Sequence, residues 1–319
     1  MSSTPLVSVL MPAYNHERYV EESVRSVWAQ TYPNVELIVI DDGSRDATPD
    51  ILRRLAAESP IPMRLELQEN AGAAETINRA FALARGHWIT LTASDDRYLP
   101  NHVATLVRAF AGAPSGTGLA FGDMYIIDED GRRVDRYFRT RTPRSGWIFE
   151  DLLLRKFMVP GLASMIRAVV FRDAGGYDPS SAVCDLEFFT RIARTHPFVY
   201  VNECVAEYRG RHQGEQMSRQ AFRLVPDICR AFEAGMAGYP KARNPVWRAY
   251  AYGHHAFRIG QNYYTVRDFP NARRWLLRSI ARNPFHLAPW NFLVRSLFGA
   301  RLIERISRTK ARLLRPRVD

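Results

Sequence analysis

Two pairs of adjacent aspartates, Asp41-Asp42 and Asp95-Asp96, have the clearest capacity for chemistry in this sequence. Each pair follows a short apolar run that predicts a β-strand. Carboxylates accept hydrogen bonds from the hydroxyl and imide groups of a nucleoside, and they also bind divalent metal ions. Ligands of open α/β sheets lie beyond the carboxyl ends of the strands, so the two pairs predict a ligand site at one sheet edge. For either pair taken alone, the alternative to ligand binding is a structural role, in which the acids only end a strand and cap a turn.

The elements that must position these acids alternate regularly. Strands are predicted at 6–11, 35–40, 63–67 and 87–92, and helices at 20–30, at 49–58 and through Ile77 to Ala84. Thr48 is the predicted N-cap of the second helix, with Pro49 at its first helical position. This β-α-β-α-β-α-β order predicts an α/β fold with a Rossmann-like, doubly wound and mostly parallel sheet.

The alternation becomes irregular after about residue 100. Strands are predicted at 119–127 and 199–208, a hairpin turn at 128–131, helices at 149–154 and 184–194, and a strand with a short helix within 164–171. From residue 221 onward the pattern is helical, with arginine-rich faces. We therefore predict an α/β domain over 1–220, with halves at about 1–98 and 99–220, and an all-helical region over 221–319.

Composition limits the kind of protein. The 319 residues carry a formal charge of +11, which favours an anionic partner such as nucleotide phosphate, nucleic acid or an acidic membrane face. Three cysteines without a C-x-x-C pair exclude a disulfide framework and fit a reducing compartment. No segment resembles a signal peptide or an uncharged spanning helix, so we expect a soluble or peripheral protein.

Four motifs in order carry a resemblance to a known family. They are PAYNHERYV at the first strand, VELIVIDDGSRDAT at the second, NAG through ASDD around the fourth, and GGYDP followed by CDLEFFTRIA. Together, over about residues 5–218, they resemble the family 2 nucleotide-sugar glycosyltransferases. That resemblance implies an A-type fold, in which one Rossmann-like domain is fused to an acceptor-binding half.

The resemblance implies a set of donor-binding residues. The residues that match the family's donor-lining positions are Pro12, Tyr14, Asp41, Asp42, Asn70, Gly72, Asn78, Ser94, Arg209 and Arg211. The acids are able to accept from a base imide and from ribose hydroxyls, and an arginine fork suits phosphate oxygens. Tyr14 could stack on the base or only pack in its loop, and Asn70, Gly72 and Asn78 could equally form a turn and the start of a helix.

The resemblance also implies a metal site at Asp95 and Asp96, with His212 as a further ligand or phosphate contact. A Mn or Mg ion there would stabilise the charge of a departing nucleoside diphosphate, and one or two protein carboxylates suffice when phosphates and waters supply the rest. Ala93 stands where the family has the first acid of its D-x-D-D run. This departure puts donor preference in doubt more than metal binding.

The catalytic base implied by the family's Glu-Asp motif is Asp185, with Cys184 in place of the usual Glu. A sugar hydroxyl is a poor nucleophile until its proton is accepted, and the helix dipole favours an ionised carboxylate at a helix start. Glu187 is a second candidate, and a helix cap is the alternative role for Asp185.

The resemblance thus implies an inverting, metal-dependent glycosyltransferase acting in cell-surface polysaccharide or glycolipid assembly. Its partners would be a nucleoside-diphosphate sugar and a glycan or lipid-linked acceptor, with no specific nucleic acid. We expect it in the cytoplasm, with the basic and apolar segment 301–317 either lying on the anionic inner face of the membrane or forming a solvated helix end.

Three other functions remain open at this point. A sugar-nucleotide or glycan-binding relative without turnover is favoured by Ala93 and Cys184. A nucleotidyltransferase would need a glycine-rich basic loop after the first strand, and PAYNHERYV is not one. A nucleic-acid binder is suggested by charge alone, without a recognised binding module.

Overall fold

The computed structural model of this chain describes residues 4–139, 142–210 and 224–297. The strands are β1 (Val7–Ala13), β2 (Val35–Asp41), β3 (Met63–Leu67), β4 (Trp88–Leu91), β5 (Arg97–Tyr98), β6 (Leu119–Ile127), β7 (Arg133–Arg136), β8 (Ser164–Arg167) and β9 (Phe198–Arg209). The helices are α1 (Val20–Trp28), α2 (Thr48–Glu58), α3 (Ala73–Leu83), α4 (His102–Ala111), α5 (Phe149–Leu153), α6 (Ala168–Asp173), α7 (Cys184–Ala193), α8 (Val225–Met236), α9 (Pro245–Thr265), α10 (Phe269–Arg282) and α11 (Leu287–Leu297). Short 3-10 turns occupy Gly161–Ala163 and Pro240–Arg243.

The centre of the α/β part is a sheet in the order β3-β2-β1-β4-β8-β6-β9-β5, with β7 paired to β6. β2 is buried along its whole length because helices cover both faces of a parallel sheet, which is why it reads as an unbroken apolar run. β1, β2, β3 and β4 are parallel to one another. The predicted Rossmann-like α/β fold is confirmed.

Parallel pairing aligns the strand ends that matter. Ala13 pairs with Asp41 and Leu10 pairs with Leu91, so β1, β2 and β4 finish at the same edge. The loops that follow them contain the two predicted aspartate pairs. The sheet itself therefore brings the acidic turns to one side of the domain.

The second half completes the sheet with strands of both directions. β8 runs antiparallel between β4 and β6, whereas β6 and β9 are parallel. The two-residue β5 was not predicted, because Arg97–Tyr98 is too short to show a period. It pairs antiparallel with β9, and this pairing fixes the chain directly after Asp96.

Two predicted helix ends need correction. α1 ends at Trp28 rather than at residue 30. α2 begins at Thr48, so Thr48 lies inside the helix and Ala47 is the cap residue, with no side-chain capping bond. The Thr48 hydroxyl instead accepts a hydrogen bond of 2.9 Å from the His16 backbone N–H. Contact with another loop thus replaces the local cap that the sequence pattern favours.

The chain divides into two compact units. One comprises Met1–Leu152 and Lys156–Glu215, and the other comprises Leu153–Arg155 and Gln216–Asp319. Over 224–297 the second unit consists of helices and connecting turns, with α9 packed on α10 and α10 on α11. Among the helices in the described ranges, none is both long and apolar enough to cross a membrane.

Candidate active site

The turn after β2 gives its two aspartates different environments. Asp41 is 2% exposed, and its Oδ1 accepts a 3.0 Å hydrogen bond from the Ser44 N–H. Its Oδ2 is buried and has no hydrogen-bond partner among the residues that the structure describes. A buried carboxylate oxygen without a donor is costly, so Asp41 is prepared to accept a hydrogen bond from a ligand.

Asp42 is fully engaged in holding the loop between β3 and α3. Its carboxylate accepts hydrogen bonds from Gln68 Nε2 at 2.7 Å, from the Ala71 N–H at 2.7 Å and from the Gly72 N–H at 3.0 Å. Asn70 donates to the Asp42 carbonyl at 3.0 Å. Asn70 and Gly72, predicted at the donor site, are therefore positioned by Asp42, beside Asp41. Whether they touch a ligand stays a prediction.

The loop after β1 is bonded to the turn after β2. The Asn15 N–H donates to Ser44 Oγ at 2.8 Å, and the Glu17 N–H donates to an Asp46 carboxylate oxygen at 3.0 Å. Pro12, opposite Ile40 in the β1–β2 register, lies within β1, one residue before the strand ends. Tyr14 projects from the loop with 42% of its surface exposed, which leaves the ring available for stacking.

The turn after β4 contains the second pair, and here the sequence analysis missed a participant, His16. The His16 Nδ1 atom lies 2.7 Å from Ser94 Oγ, and its Nε2 atom lies 3.8 Å from Asp95 Oδ2. Ser94 is fully buried with its hydroxyl committed to His16, so the predicted donor contact by its side chain is not supported. The Asp95 side chain is 13% exposed, which makes it the accessible acid of this turn.

Asp96 is buried, and Arg209 binds it. The Arg209 N–H donates to Asp96 Oδ1 at 2.8 Å, while burial and then the charge of Asp95 raise the pKa of Asp96 well above its usual range. The Arg209 guanidinium donates to the Asp95 carbonyl, to the carbonyls of 128–129 and to Glu22 Oε2. The guanidinium of Arg209 is thus bonded to protein groups in this arrangement, and the expectation that Arg209 or Arg211 binds phosphate stays a prediction. Asp96 likewise anchors the turn, and its position inside the fold fits a metal ligand less well than that of Asp95.

Asp185 forms a separate cluster at the start of α7. Burial of its carboxylate raises its pKa, and the nearby Tyr177 hydroxyl partly offsets this effect. Gly161 is essential here, because a Cβ atom at that position would lie 2.9 Å from Asp185 Oδ2. Burial, and then the charge of Asp185, raise the pKa of Cys184 to about 12, so this thiol stays protonated at neutral pH.

The loop before α7 is clamped by its neighbours. Asn78 donates to the Tyr177 carbonyl at 2.8 Å and accepts from the Tyr177 N–H at 2.9 Å, so both ends of its amide hold this loop. Glu187 accepts from Arg191 at 2.8 Å, and Arg191 donates to the carbonyls of Ala174 and Gly176. Asn78 and Glu187 thus have structural partners, whereas Asp185 faces a glycine.

Part of the predicted site cannot be placed. Arg211, His212 and the segment 301–317 lie outside the described residues. Within the described residues, no group of three or more His, Cys, Asp or Glu side chains is arranged to hold a metal ion. In the turn after β4, Asp95 supplies an accessible hard oxygen ligand, which fits a Mg or Mn ion whose remaining ligands are phosphates and waters. The residues present are thus compatible with the implied metal.

The residues that sequence reasoning missed are His16, Gln68, Glu22 and Gly161. His16 and Glu22 belong to the PAYNHERYV motif and the helix after it, but their partners lie far along the chain. A glycine in VPGLAS carries no local sign that it faces Asp185. Only the histidine, a polar residue in a motif loop, offered a signal that could have been followed.

Comparison with known proteins supplies independent evidence. The model of the family described as "Glycosyl transferase family 2" matches residues 8–171. An uncharacterized glycosyltransferase of Rickettsia felis is 26% identical over 219 residues, which span 68% of this chain and 36% of that protein, so this chain matches only about a third of its length. TuaG of Bacillus subtilis, named for teichuronic acid biosynthesis, is 29% identical over 209 residues, covering 64% of this chain and 79% of that protein.

A solved structure has the same fold. The mannosyltransferase PcManGT from Pyrobaculum calidifontis, in complex with GDP-Man and Mn2+, superimposes with a TM-score of 0.61 and 20% identity, covering 88% of this chain and 76% of the other. At this identity the likeness concerns the fold.

Proposed function

This chain belongs to glycosyl transferase family 2, and from that premise we propose that it transfers a sugar from a nucleoside-diphosphate sugar to a hydroxyl of a glycan or lipid-linked acceptor. One observation carries the proposal. The turns that follow β2 and β4, the two strands on either side of β1, each place an aspartate pair at one sheet edge, and in each pair one carboxylate is anchored by backbone N–H donation.

The donor nucleoside would bind at the turn after β2. The unpartnered Asp41 Oδ2 accepts a hydrogen bond from a base N–H or a ribose hydroxyl, which removes the cost of leaving that oxygen buried without a donor. Tyr14, exposed beside this turn, provides a ring on which a base can stack.

Asp95 would hold a Mn or Mg ion. A Mn2+ ion is present in the complex of the structural relative PcManGT with GDP-Man. When bound, such an ion supplies positive charge that stabilises a departing diphosphate. The role of this chain is to keep the Asp95 carboxylate oriented, through His16 on one side and the Arg209 contact with the Asp95 carbonyl on the other.

Asp185 would accept the proton of the acceptor hydroxyl. The acceptor oxygen forms a bond to the anomeric carbon, the bond from that carbon to the diphosphate oxygen breaks, and the nucleoside diphosphate leaves with the bonding electrons. A carboxylate whose pKa is raised by burial is a better proton acceptor than an ordinary aspartate once it is ionised. A single displacement of this kind inverts the anomeric configuration.

The acceptor and the place of action belong to the same proposal. The name of the relative TuaG points to a cell-envelope polysaccharide. We propose cytoplasmic action with contact to an anionic membrane, supported by the net charge of +11 and by exposed apolar side chains at Phe285 and Leu287 in the helical unit. Sedimentation with anionic but not with neutral vesicles would test this contact.

Release of nucleoside diphosphate from a panel of UDP-, GDP- and TDP-sugars tests the activity. We expect slow hydrolysis of one donor with Mn or Mg, abolished by a chelator and by Asp95→Ala. If every donor is inert and calorimetry also detects no donor binding, transfer is refuted. If a donor binds but never turns over with any acceptor, the chain is a sugar-nucleotide binder. Cys184, a protonated thiol where the family has Glu, is the feature that favours this second function.

A matched pair of variants tests the base. Asp185→Asn should lower kcat by about 10²- to 10⁴-fold, the usual contribution of general base catalysis. Glu187→Gln should keep most of kcat and lower Tm, because Glu187 orients the arginine that holds the loop before α7. The reverse result would assign the base to Glu187.

A further inference from the structure

The helical unit contains a buried cation that no group of the described residues neutralises. Arg155 ends the segment Leu153–Arg155, which belongs to this unit. It is 8% exposed, and its Nε and Nη1 atoms have no hydrogen-bond partner in the part of the chain that the structure describes. Its backbone has a φ of 52°, a left-handed conformation that is uncommon for an arginine. The fold therefore holds this guanidinium in place at the expense of local strain.

The groups around Arg155 add positive charge or hydrogen-bond donors. Repulsion from Arg258 on α9 acts on Arg155, although burial is the larger cause of its lowered pKa of about 10. Arg155 therefore keeps its charge at neutral pH. His255, one turn before Arg258, is buried against the Phe232 ring, and neither of its ring nitrogens has a partner among the described residues. Burial and the charge of Arg155 lower the pKa of His255 to about 3, so its ring is neutral.

The carboxylates of the helical unit are bonded elsewhere. The sequence has three acids over 224–297. Asp227 pairs with Arg230 at 2.6 Å, Glu233 accepts from the Tyr252 hydroxyl at 2.7 Å, and Asp268 caps α10. No carboxylate is among the described groups whose charge acts on Arg155. A buried charge without a counter-charge is strongly destabilising, so an anion bound at Arg155 would stabilise the unit.

We propose that Arg155, together with Arg258 and His255, forms an anion site inside the helical unit that binds a phosphate group. The planar guanidinium fork matches the oxygens of a tetrahedral oxyanion, and a neutral imidazole can donate one further N–H. Because Arg155 is almost entirely enclosed, the site takes inorganic phosphate or the terminal phosphate of a larger molecule such as a lipid. This site is separate from the acidic turns, and it does not depend on the proposed transfer reaction.

Thermal unfolding of the full chain in phosphate tests this site. Phosphate should raise Tm saturably at constant ionic strength, by roughly 5 °C or more at a hundredfold excess over Kd, whereas chloride should not. The test variant is Arg155→Met, and the matched control is Arg274→Met, which removes an exposed arginine of the same unit. The rise should vanish in Arg155→Met and persist in Arg274→Met and in Asp41→Asn.

Calorimetry with inorganic phosphate gives a second readout on the wild-type chain, so the test does not depend on the folding of Arg155→Met. Binding of one phosphate per chain supports the proposal if Arg155→Lys abolishes this binding or weakens it at least tenfold, because lysine lacks the planar guanidinium fork. Absence of saturable binding to the wild type, or binding that survives in Arg155→Met, overturns it.

Vesicles containing phosphatidic acid distinguish the two sources of phosphate. If Arg155→Met loses vesicle binding that Arg274→Met keeps, the bound group is a lipid phosphate. If both variants bind vesicles equally and only inorganic phosphate depends on Arg155, the site takes the free ion. Donor turnover is not part of any of these measurements, so a failure of the proposed transferase activity leaves them interpretable.

Discussion

The turn after β2 and the turn after β4 both contain the pair Asp-Asp, but different hydrogen-bond donors surround the two pairs. In the first, Asp42 receives three N–H groups, two of them from the backbone. In the second, Asp96 accepts a hydrogen bond from the backbone N–H of Arg209, and its pKa is raised by burial and by Asp95. In both turns the leading acid, Asp41 or Asp95, is the one that we propose binds a ligand.

The difference shows that the donors around a carboxylate, more than its place in a motif, decide its role. A carboxylate with several N–H donors organises a loop, as Asp42 does. A carboxylate with one donor in a buried position favours its neutral form, as Asp96 does. Replacement by asparagine should therefore affect the two anchors differently.

The largest expected effect separates Asp95 from Asp96. Asp95→Asn should lower kcat/KM by about 10²- to 10³-fold, since it weakens stabilisation of the leaving diphosphate. Asp96→Asn resembles the protonated acid, can still accept from the Arg209 N–H, and should lose less than about tenfold. Steady-state kinetics at saturating Mn, with circular dichroism to verify folding, measures both. Equal losses would mean that the two acids share one role.

The next effect separates Asp41 from Asp42. Asp41→Asn should raise KM for the donor about 10- to 100-fold with little change in Tm, because Asp41 has a free oxygen for the ligand. Asp42→Asn should lower the free energy of unfolding by about 1–3 kcal/mol, because an amide N–H would face N–H donors. Denaturant titration together with donor kinetics checks the pair. A stable Asp42→Asn protein would contradict the anchoring role.

A smaller effect belongs to His16, which joins the two turns. His16→Ala should raise the Mn concentration needed for half-maximal activity about tenfold, as expected when a residue that orients a metal ligand is lost. Maximal activity at saturating Mn should recover in large part. His16→Asn, which can still bond to Ser94, is the control. An unchanged Mn requirement in His16→Ala would leave Asp95 oriented by the Arg209 contact alone.

The smallest effect concerns pH and extends the comparison to a third acid. The raised pKa of Asp185 places the acidic limb of kcat/KM above the ordinary aspartate value of about 3.9, with activity falling as pH drops through the raised value. For folding the sign is opposite: the stability linked to neutral Asp185 is present at low pH and is lost as pH rises through the folded pKa. Asp185→Asn should therefore raise Tm at neutral pH and have little effect on Tm near pH 3. Paired Tm and rate profiles check both signs.

The sequence sufficed for the fold because burial imposes a clear period on long elements. The apolar run of β2 and the alternation of β3 predicted both strands within a residue of their bounds. The two-residue β5 could not be predicted, since it exists only through its pairing with β9. The Thr48 cap failed for a similar reason, because the His16 N–H binds that hydroxyl.

For the candidate site, the sequence indicated residue types better than residue roles. The ligand roles predicted for Asp41 and Asp95 are compatible with the contacts that the structure shows. The side chains of Arg209 and Ser94, by contrast, are bonded to groups distant in sequence. Such commitments depend on tertiary contacts that no local pattern records. The proposed roles of Asp185 and of the metal stay predictions until they are measured.

The contacts of Arg209 also have a consequence for the order of folding. This side chain bonds to Glu22, 187 residues earlier, and to the Asp95 carbonyl, 114 residues earlier. Contacts that span so much chain form late, because the loop between them must close first. During synthesis, the turn that carries Asp95 therefore cannot acquire its final geometry until β9 has left the ribosome. A nascent chain ending before Arg209 would carry both aspartate pairs with only the turn after β2 completed.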